Sequence, residues 1–274
     1  MGLKHLIVHL DGTARCARRV ELAVGIARKH GARLLGVFAQ FGAEERVGYI
    51  ANWPPKEYAQ AAAASRAAFE AACAGVPDFG WVDANCGSEA EIVRRVTDLA
   101  RHVDLVVFGQ HDETQPVLVP PSLALDVVLH AGRPVLVIPY IGDFRDPGQR
   151  PLIAWKDSRE SARALNDALP LMAGASSAHL LAIARERGAA EAACSAAQLH
   201  LRCHGIDVAT EAFPLDEDDG VAVMDLLLNR AADRSADLLV MGARGSIAGL
   251  PIGSRGAGTR HILQHMTLPV LMSN

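Results

Sequence analysis

Short apolar segments recur in the two halves of this 274-residue chain, and this recurrence limits the possible folds more than any other feature. The segment Leu105–Gly109 matches Leu238–Gly242, and an aspartate precedes each of them. Leu6 corresponds to Leu152, so the second copy follows the first by 146 residues. A period of this length indicates the tandem duplication of one domain, and not a solenoid of short repeats.

Each copy alternates continuous apolar runs with segments of helical periodicity. The predicted strands are residues 6–10, 34–39, 80–84, 104–108 and 134–138, then 152–155, 179–184, 207–213, 237–241 and 269–272. The predicted helices are residues 17–30, 56–74, 88–102 and 123–130, then 159–173, 189–204, 221–232 and a run from 259. Strands that are apolar along their whole length and alternate with helices form parallel sheets covered on both faces. The sequence therefore predicts an α/β fold of two tandem doubly wound domains, each with a five-stranded parallel sheet and helices on both faces.

The domain boundaries follow from the repeat and from a change in composition between the copies. Residues 140–150 are rich in Gly, Asp, Arg and Pro, which is typical of a linker. The predicted domains are therefore residues 1–142 and 149–274. Each is long enough to bury its own hydrophobic core.

Composition excludes several classes of protein. The net charge of −4 and the lack of a basic stripe argue against nucleic acid as a partner. No apolar run approaches the ~18 residues of a membrane span, so no membrane partner is expected. The start of the chain has no signal-peptide pattern, and the five cysteines form no Cys-x-x-Cys motif. We expect a cytoplasmic protein with reduced cysteines.

The segment after the fourth predicted strand of the second copy is dense in glycine. The glycines are Gly242, Gly245, Gly249, Gly253, Gly256 and Gly258. Packing is not expected to explain this density, because glycine lacks a side chain and costs backbone entropy. Glycine does allow a phosphate to approach backbone N–H groups just before a helix. Asp157 follows the first strand of the same copy, and ligands of parallel sheets bind at the carboxyl ends of strands.

These residues occur in the order found in one known family. The relevant positions are Asp11, Asp157, residues 242–245, residues 259–261 and residues 269–272. Through them the chain resembles a tandem universal stress protein over nearly its whole length. The resemblance implies five-stranded domains similar to the adenine-nucleotide hydrolases, a role in stress response, and ATP with Mg²⁺ as the ligand of the members that bind nucleotide.

Nucleotide-binding members of that family are marked by Gly-x-x-Gly, nine further residues, and then Gly-Ser or Gly-Thr. Gly242 and Gly245 match the first half, and the second half has partial matches after seven, ten and twelve residues. The motif is therefore present with an altered length. The predicted nucleotide-binding residues are Asp157, Gly242, Gly245, Gly253, Ser254, Gly256, Gly258 and Thr259. Asp157 and Asp11 also suit the N-caps of the helices that follow them, which is compatible with binding a ribose.

The first copy departs further from the motif. No glycine follows Gly109 before residue 122, and Asp112 and Glu113 place carboxylates where a phosphate would lie. Prolines in the same segment lack the N–H donors that a phosphate needs. The first copy is therefore predicted not to bind nucleotide.

No metal site or catalytic residue is predicted. His261 and His265 have the spacing of two ligands on one helix face, but neither a Glu between them nor a third ligand accompanies them. The chain has no Gly-x-Ser-x-Gly motif and no Ser-Gly-Gly-x-Asp-Ser loop after either first strand. At most, slow ATP hydrolysis is expected.

Two functions remain open from the sequence. One is a stress-response protein with a single ATP site in the second copy, and the other is an interaction scaffold whose glycine loop is vestigial. In either case the two domains are expected to pair through residues 134–138 and 269–272, which are short, apolar strands suited to a sheet edge. A homodimer is a further expectation.

Overall fold

The computed structural model describes residues 2–42, 46–47, 50–51, 54–85, 88–113, 118–214, 220–243 and 257–274. The chain divides into two compact units, Gly2–Arg133 and Pro134–Asn274, which we call the first and the second unit. None of the helices in the described ranges is long and apolar enough to span a bilayer.

The first unit contains a parallel sheet with the strand order β6-β1-β2-β5. Its strands are β1 (His5–Leu10), β2 (Arg33–Phe38), β5 (Phe79–Asp83) and β6 (Leu105–Gly109), and the two-residue strands β3 (Arg46–Val47) and β4 (Ile50–Ala51) pair antiparallel. Its helices are α1 (Cys16–His30), α2 (Lys56–Ala72), α3 (Glu89–Ala100) and α4 (Leu123–His130).

The second unit contains strands in the order β10-β9-β8-β11-β12-β7. They are β7 (Val135–Ile138), β8 (Pro151–Trp155), β9 (Ala178–Ala184), β10 (Val208–Pro214), β11 (Leu238–Gly242) and β12 (Val270–Ser273). Its helices are α5 (Arg159–Met172), α6 (Arg187–Cys203), α7 (Gly220–Asp233) and α8 (Ala257–His265). The strands from β10 to β12 pair in parallel, and β12 pairs antiparallel with β7.

The predicted α/β class is confirmed, and all ten predicted strands are present. Residues with a known preference for helix ends are found at two of them: Ser88 caps α3 by accepting a hydrogen bond from the Glu91 N–H, and Gly31 ends α1 with a φ of 61°. In the first unit β1 lies between β2 and β6, and in the second unit β8 lies between β9 and β11. The next strand in the sequence thus lies on one side of each of these strands, and a later strand lies on the other side, so the strand order reverses there. Ligands of open α/β sheets bind at such a point.

The strand β7 belongs to the first sequence copy but lies in the second compact unit. There Val137 pairs with Val270 and Val135 with Met272, and β7 and β12 are buried along their whole length. The domain bounds 1–142 and 149–274, the pairing of the two domains and the homodimer stay predictions.

The aspartate before the fourth strand of each copy binds backbone N–H groups at the amino edge of its sheet. The Asp104 carboxylate accepts from residues 4 and 5, at 2.7 and 3.0 Å. The Asp237 carboxylate accepts from residues 148–150, at 3.0, 3.1 and 2.9 Å. Each aspartate thus fixes the chain at the start of the first strand of its copy, on the edge opposite the candidate site.

Candidate functional site

The candidate site of the second unit is the carboxyl edge of its sheet at β8 and β11. Asp157 lies two residues beyond β8, Gly242 ends β11, and the two strands are parallel neighbours. Asp157 is exposed, and among the described residues its carboxylate has no hydrogen bond or ion pair. The carboxylate is therefore available to a ligand at the strand ends.

Ser158, and not Asp157, caps α5. The Ser158 Oγ accepts a hydrogen bond from the Ser161 N–H at 3.3 Å, so the expectation that Asp157 is the cap is wrong. Asp11 does not cap α1 either, because it accepts the N–H of Thr13 at 2.9 Å, before that helix begins. In the second copy the residue after the aspartate, Ser158, caps the helix, and Asp157 has no capping role.

Gly242 has no room for a side chain. A Cβ at this position would lie 2.6 Å from the backbone carbon of Glu160 and 2.6 Å from the nitrogen of Ser161. The end of β11 thus packs directly against the first turn of α5. The expectation that packing does not account for these glycines is therefore wrong at Gly242, because the close approach of helix and strand requires glycine there.

We expect Gly242→Ala to lower the free energy of unfolding by about 2 kcal/mol, because the added methyl group must displace the α5 backbone. Urea unfolding followed by circular dichroism measures this change. Gly188→Ala is the matched control, since a Cβ at Gly188 in α6 meets nothing within 4 Å. A Gly242→Ala protein as stable as the wild type would contradict the packing that we describe.

The other predicted site residues are only partly described. Gly258 and Thr259 lie in the first turn of α8, and the Thr259 side chain is buried. Gly245, Gly253, Ser254 and Gly256 lie outside the described residues. The structure therefore brings Asp157 and Gly242 to one edge of the sheet, while the phosphate-binding role of the loop stays a prediction.

His261 and His265 connect elements within the second unit. The His261 Nε2 is 2.6 Å from the Asp225 Oδ1, which ties α8 to α7. The His265 Nδ1 is 2.9 Å from the His261 carbonyl oxygen, and the two rings stack with centroids 4.2 Å apart. Within the described part of the chain, no three His, Cys, Asp or Glu side chains are placed to hold a metal ion.

The strand ends of the first unit hold a buried ion pair. The Arg19 Nη2 donates to the Asp11 Oδ2 at 2.8 Å, and the Arg19 Nε donates to the His9 carbonyl at 2.7 Å. The Thr13 hydroxyl donates to the Asp11 Oδ1 at 2.5 Å. Asp11 is therefore saturated with partners from its own unit, whereas Asp157 is exposed.

Electrostatics hold this cluster in one ionisation state. Burial alone would raise the pKa of Asp11, but the Arg19 guanidinium and the Thr13 donors keep that pKa well below its ordinary range. Burial, assisted by the Arg19 charge, lowers the pKa of His9 to about 4. At neutral pH the cluster therefore contains a carboxylate, a guanidinium and a neutral imidazole.

Further polar contacts close the same edge. The Gln40 Oε1 accepts the Gly12 N–H at 2.7 Å, and the Asn85 Nδ2 donates to the Gln40 carbonyl at 2.6 Å. The Arg15 guanidinium lies 2.5 Å from the Asp112 carboxylate, in the segment after β6. The polar groups at these strand ends thus have partners within the first unit. That the first copy binds no nucleotide stays a prediction.

Sequence reasoning did not identify Arg19, although the chain carried a signal. Arg19 falls among the apolar residues of the buried face of α1, where a charged side chain is rare unless it is paired. From the sequence alone, Asp11 is expected to cap α1 and not to pair with Arg19. A buried basic residue one helical turn into α1 and an acidic residue at the end of β1 together predict such a pair.

Comparison with known proteins supports the fold. Neither a protein-family model nor a curated protein matches the chain. A universal stress protein from Archaeoglobus fulgidus DSM 4304 superposes with a TM-score of 0.73 at 15% identity, covering 98% of both chains. A putative universal stress protein from Pseudomonas aeruginosa UCBPP-PA14 gives 0.59 at 16% identity, covering 99% of this chain and 93% of its own. A protein of unknown function from Pseudomonas aeruginosa PAO1 gives 0.57 at 16% identity, covering 99% and 92%. The chain thus has the universal stress protein fold over its whole length.

Proposed function

We propose that this chain is a tandem universal stress protein that acts in the cytoplasmic stress response and binds one adenine nucleotide, ATP, in its second unit. The fold is common to the full-length structural relatives. The observation that carries the proposal is the contrast between the two strand-end aspartates. Asp11 is buried in an ion pair, and Asp157 is exposed at the same point of the repeat.

In the proposed complex the sugar and the phosphates of the nucleotide bind different residues at the carboxyl edge of the second unit's sheet. The Asp157 carboxylate accepts hydrogen bonds from the ribose hydroxyls, since a carboxylate is an acceptor only. The phosphates lie over the segment that begins at Gly242, where glycines expose backbone N–H groups. Thr259 is buried in α8, so Ser254 is the hydroxyl that we assign to Mg²⁺.

The proposed activity is binding, with at most slow hydrolysis. Phosphoryl transfer to water needs a group that orients the attacking water and a carboxylate or hydroxyl that holds the metal. The proposal uses the exposed Asp157 carboxylate for the sugar, and it assigns no group to the task of orienting the attacking water. The bound nucleotide then acts as a signal that changes the loop and the surface around it.

Calorimetric titration with ATP and Mg²⁺ tests the proposal. We expect one site per chain, and we expect Asp157→Asn to weaken binding about tenfold, because a hydrogen bond to a charged acceptor contributes about 1.5 kcal/mol or more. Asp207→Asn is the matched control, because Asp207 is an exposed aspartate at the opposite, amino end of β10. Two equal sites per chain, or equal affinities for Asp157→Asn and the wild type, would refute the assignment.

The scaffold function remains as a second candidate because of one observation. The packing of Gly242 against α5 explains that glycine without a ligand. A scaffold with a vestigial loop would show no heat of binding with ATP, ADP or AMP. It would also release no nucleotide when the purified protein is denatured by heat and the supernatant is chromatographed.

A further inference from the structure

We propose that the strand ends of the first unit form a guanidinium-binding site that the chain fills with its own Arg19. Two of the three guanidinium nitrogens have defined acceptors there. The Nη2 donates to the Asp11 carboxylate at 2.8 Å, and the Nε donates to the His9 carbonyl at 2.7 Å. The Arg19 side chain is 6% exposed, so the ion is enclosed by the protein.

The third guanidinium nitrogen lies over the end of β6. The Arg19 Nη1 lies over Gly109, so closely that a Cβ on Gly109 would collide with it. Gly109 ends β6, which corresponds in the repeat to β11 and its terminal Gly242. Over Gly242 lies the neutral backbone of residues 160–161. The same place in the two copies is thus filled by a cation in one and by a helix turn in the other.

The groups that line the site determine the chemistry of its ligand. Asp11 offers a carboxylate and His9 offers a backbone carbonyl, both of which only accept hydrogen bonds, and the Cys16 side chain also hydrogen-bonds the guanidinium. A buried carboxylate without a cation is strongly unfavourable, so an anion such as phosphate is excluded. A planar cation with several N–H donors fits, and a compact ammonium fits less well because it lacks the fork of parallel donors. The ligand class is therefore guanidinium and its close analogues.

Chemical rescue tests this proposal in the full-length chain and does not depend on nucleotide binding by the second unit. Arg19→Ala removes the built-in ion and leaves its acceptors. We expect low-millimolar guanidinium chloride to raise the Tm of this variant saturably by about 2–4 °C, because the ion binds the folded state only. Equal concentrations of urea or sodium chloride should not produce this rise.

Two variants make the result specific. Arg18→Ala, an exposed position on the same helix, should show no rise with guanidinium, like the wild type. Asp11→Asn combined with Arg19→Ala should also lose the response, because the carboxylate that binds the ion is gone. The proposal is overturned if guanidinium stabilises this double variant as much as the single one. It is also overturned if the Arg19→Ala protein does not respond to guanidinium, whether folded or unfolded at the outset.

Discussion

The free energy of unfolding is expected to fall by roughly 3 kcal/mol between about pH 6.5 and pH 4, because His9 takes up a proton only when the protein unfolds. The pKa of His9 is lowered from 6.5 to about 4 in the folded protein, and burial is the main cause. A lowered pKa means that the stabilisation is fully present above the pKa of the unfolded state. It is then lost as the pH falls towards the pKa of the folded state.

The surroundings of His9 explain why a proton is not accepted. The His9 Nε2 lies 2.8 Å from the Ala39 carbonyl oxygen, which only accepts hydrogen bonds, so the neutral ring carries its proton on Nε2. The ring packs against Phe108 with centroids 5.3 Å apart. A second proton on Nδ1 would place a buried cation beside the Arg19 guanidinium, and the Asp11 carboxylate, 3.7 Å away, offsets this only in part.

Urea unfolding of the wild type and of His9→Gln, measured from pH 7 to pH 4, isolates this contribution. Gln at position 9 keeps an N–H donor towards Ala39 and does not titrate, so its stability should vary much less over this range. Asp11 contributes separately: its lowered pKa stabilises the protein above about pH 4, and that stabilisation is lost at more acidic pH. Parallel curves for the wild type and His9→Gln would show that His9 does not titrate on unfolding.

The elements that sequence predicted best are those whose pattern is local and repeated. Continuous apolar runs became buried strands because a strand covered on both faces has no polar side, as in β6 and β11. The cap of α3 followed from Ser88 because a hydroxyl at that position meets an N–H three residues later. Such signals depend on neighbours in the sequence and need no knowledge of the tertiary structure.

The environments of the two strand-end aspartates could not be predicted in the same way. Asp11 and Asp157 occupy equivalent places after equivalent strands, yet one is buried in an ion pair and the other is exposed. The difference arises from Arg19, whose side chain turns inwards from α1. Periodicity shows which face of a helix is buried, but not which strand end a long side chain on that face will reach.

The glycine-rich segment shows a second limit. Glycine suits the approach of a phosphate and the approach of a helix equally well, because both need the space of a missing side chain. At Gly242 the neighbour is the first turn of α5, 2.6 Å from a hypothetical Cβ. A loss of ATP binding on substitution of Gly242 therefore has two explanations. Asp157, which is exposed and outside this packing contact, is the residue that distinguishes them.

At the amino edge of each sheet, two equivalent aspartates, Asp104 and Asp237, can be compared by the backbone N–H groups that they bind. Asp237 is half-buried and accepts three consecutive N–H groups, from residues 148–150, through both of its carboxylate oxygens. Asp104 is also half-buried, but it accepts only two, from residues 4 and 5, through one oxygen. The two residues hold equivalent places in the repeat, so the number of N–H groups bound is the main difference between them.

Asp237→Ala is expected to lower the free energy of unfolding by about 3 kcal/mol and Asp104→Ala by about 2 kcal/mol, since each N–H left without an acceptor at a half-buried site costs about 1 kcal/mol. Gly148, the first of these three residues, has a φ of 109°, and a Cβ added there would lie 2.5 Å from the Leu171 carbonyl oxygen, so the segment packs closely against the end of α5. Urea unfolding of both variants at pH 7 measures the two losses. Asp143→Ala, at an exposed carboxylate of the linker, controls for the removal of charge alone and should change stability by less than about 0.5 kcal/mol. Equal losses for Asp237→Ala and Asp143→Ala would mean that the backbone N–H groups bound by Asp237 do not hold the start of β8 in place.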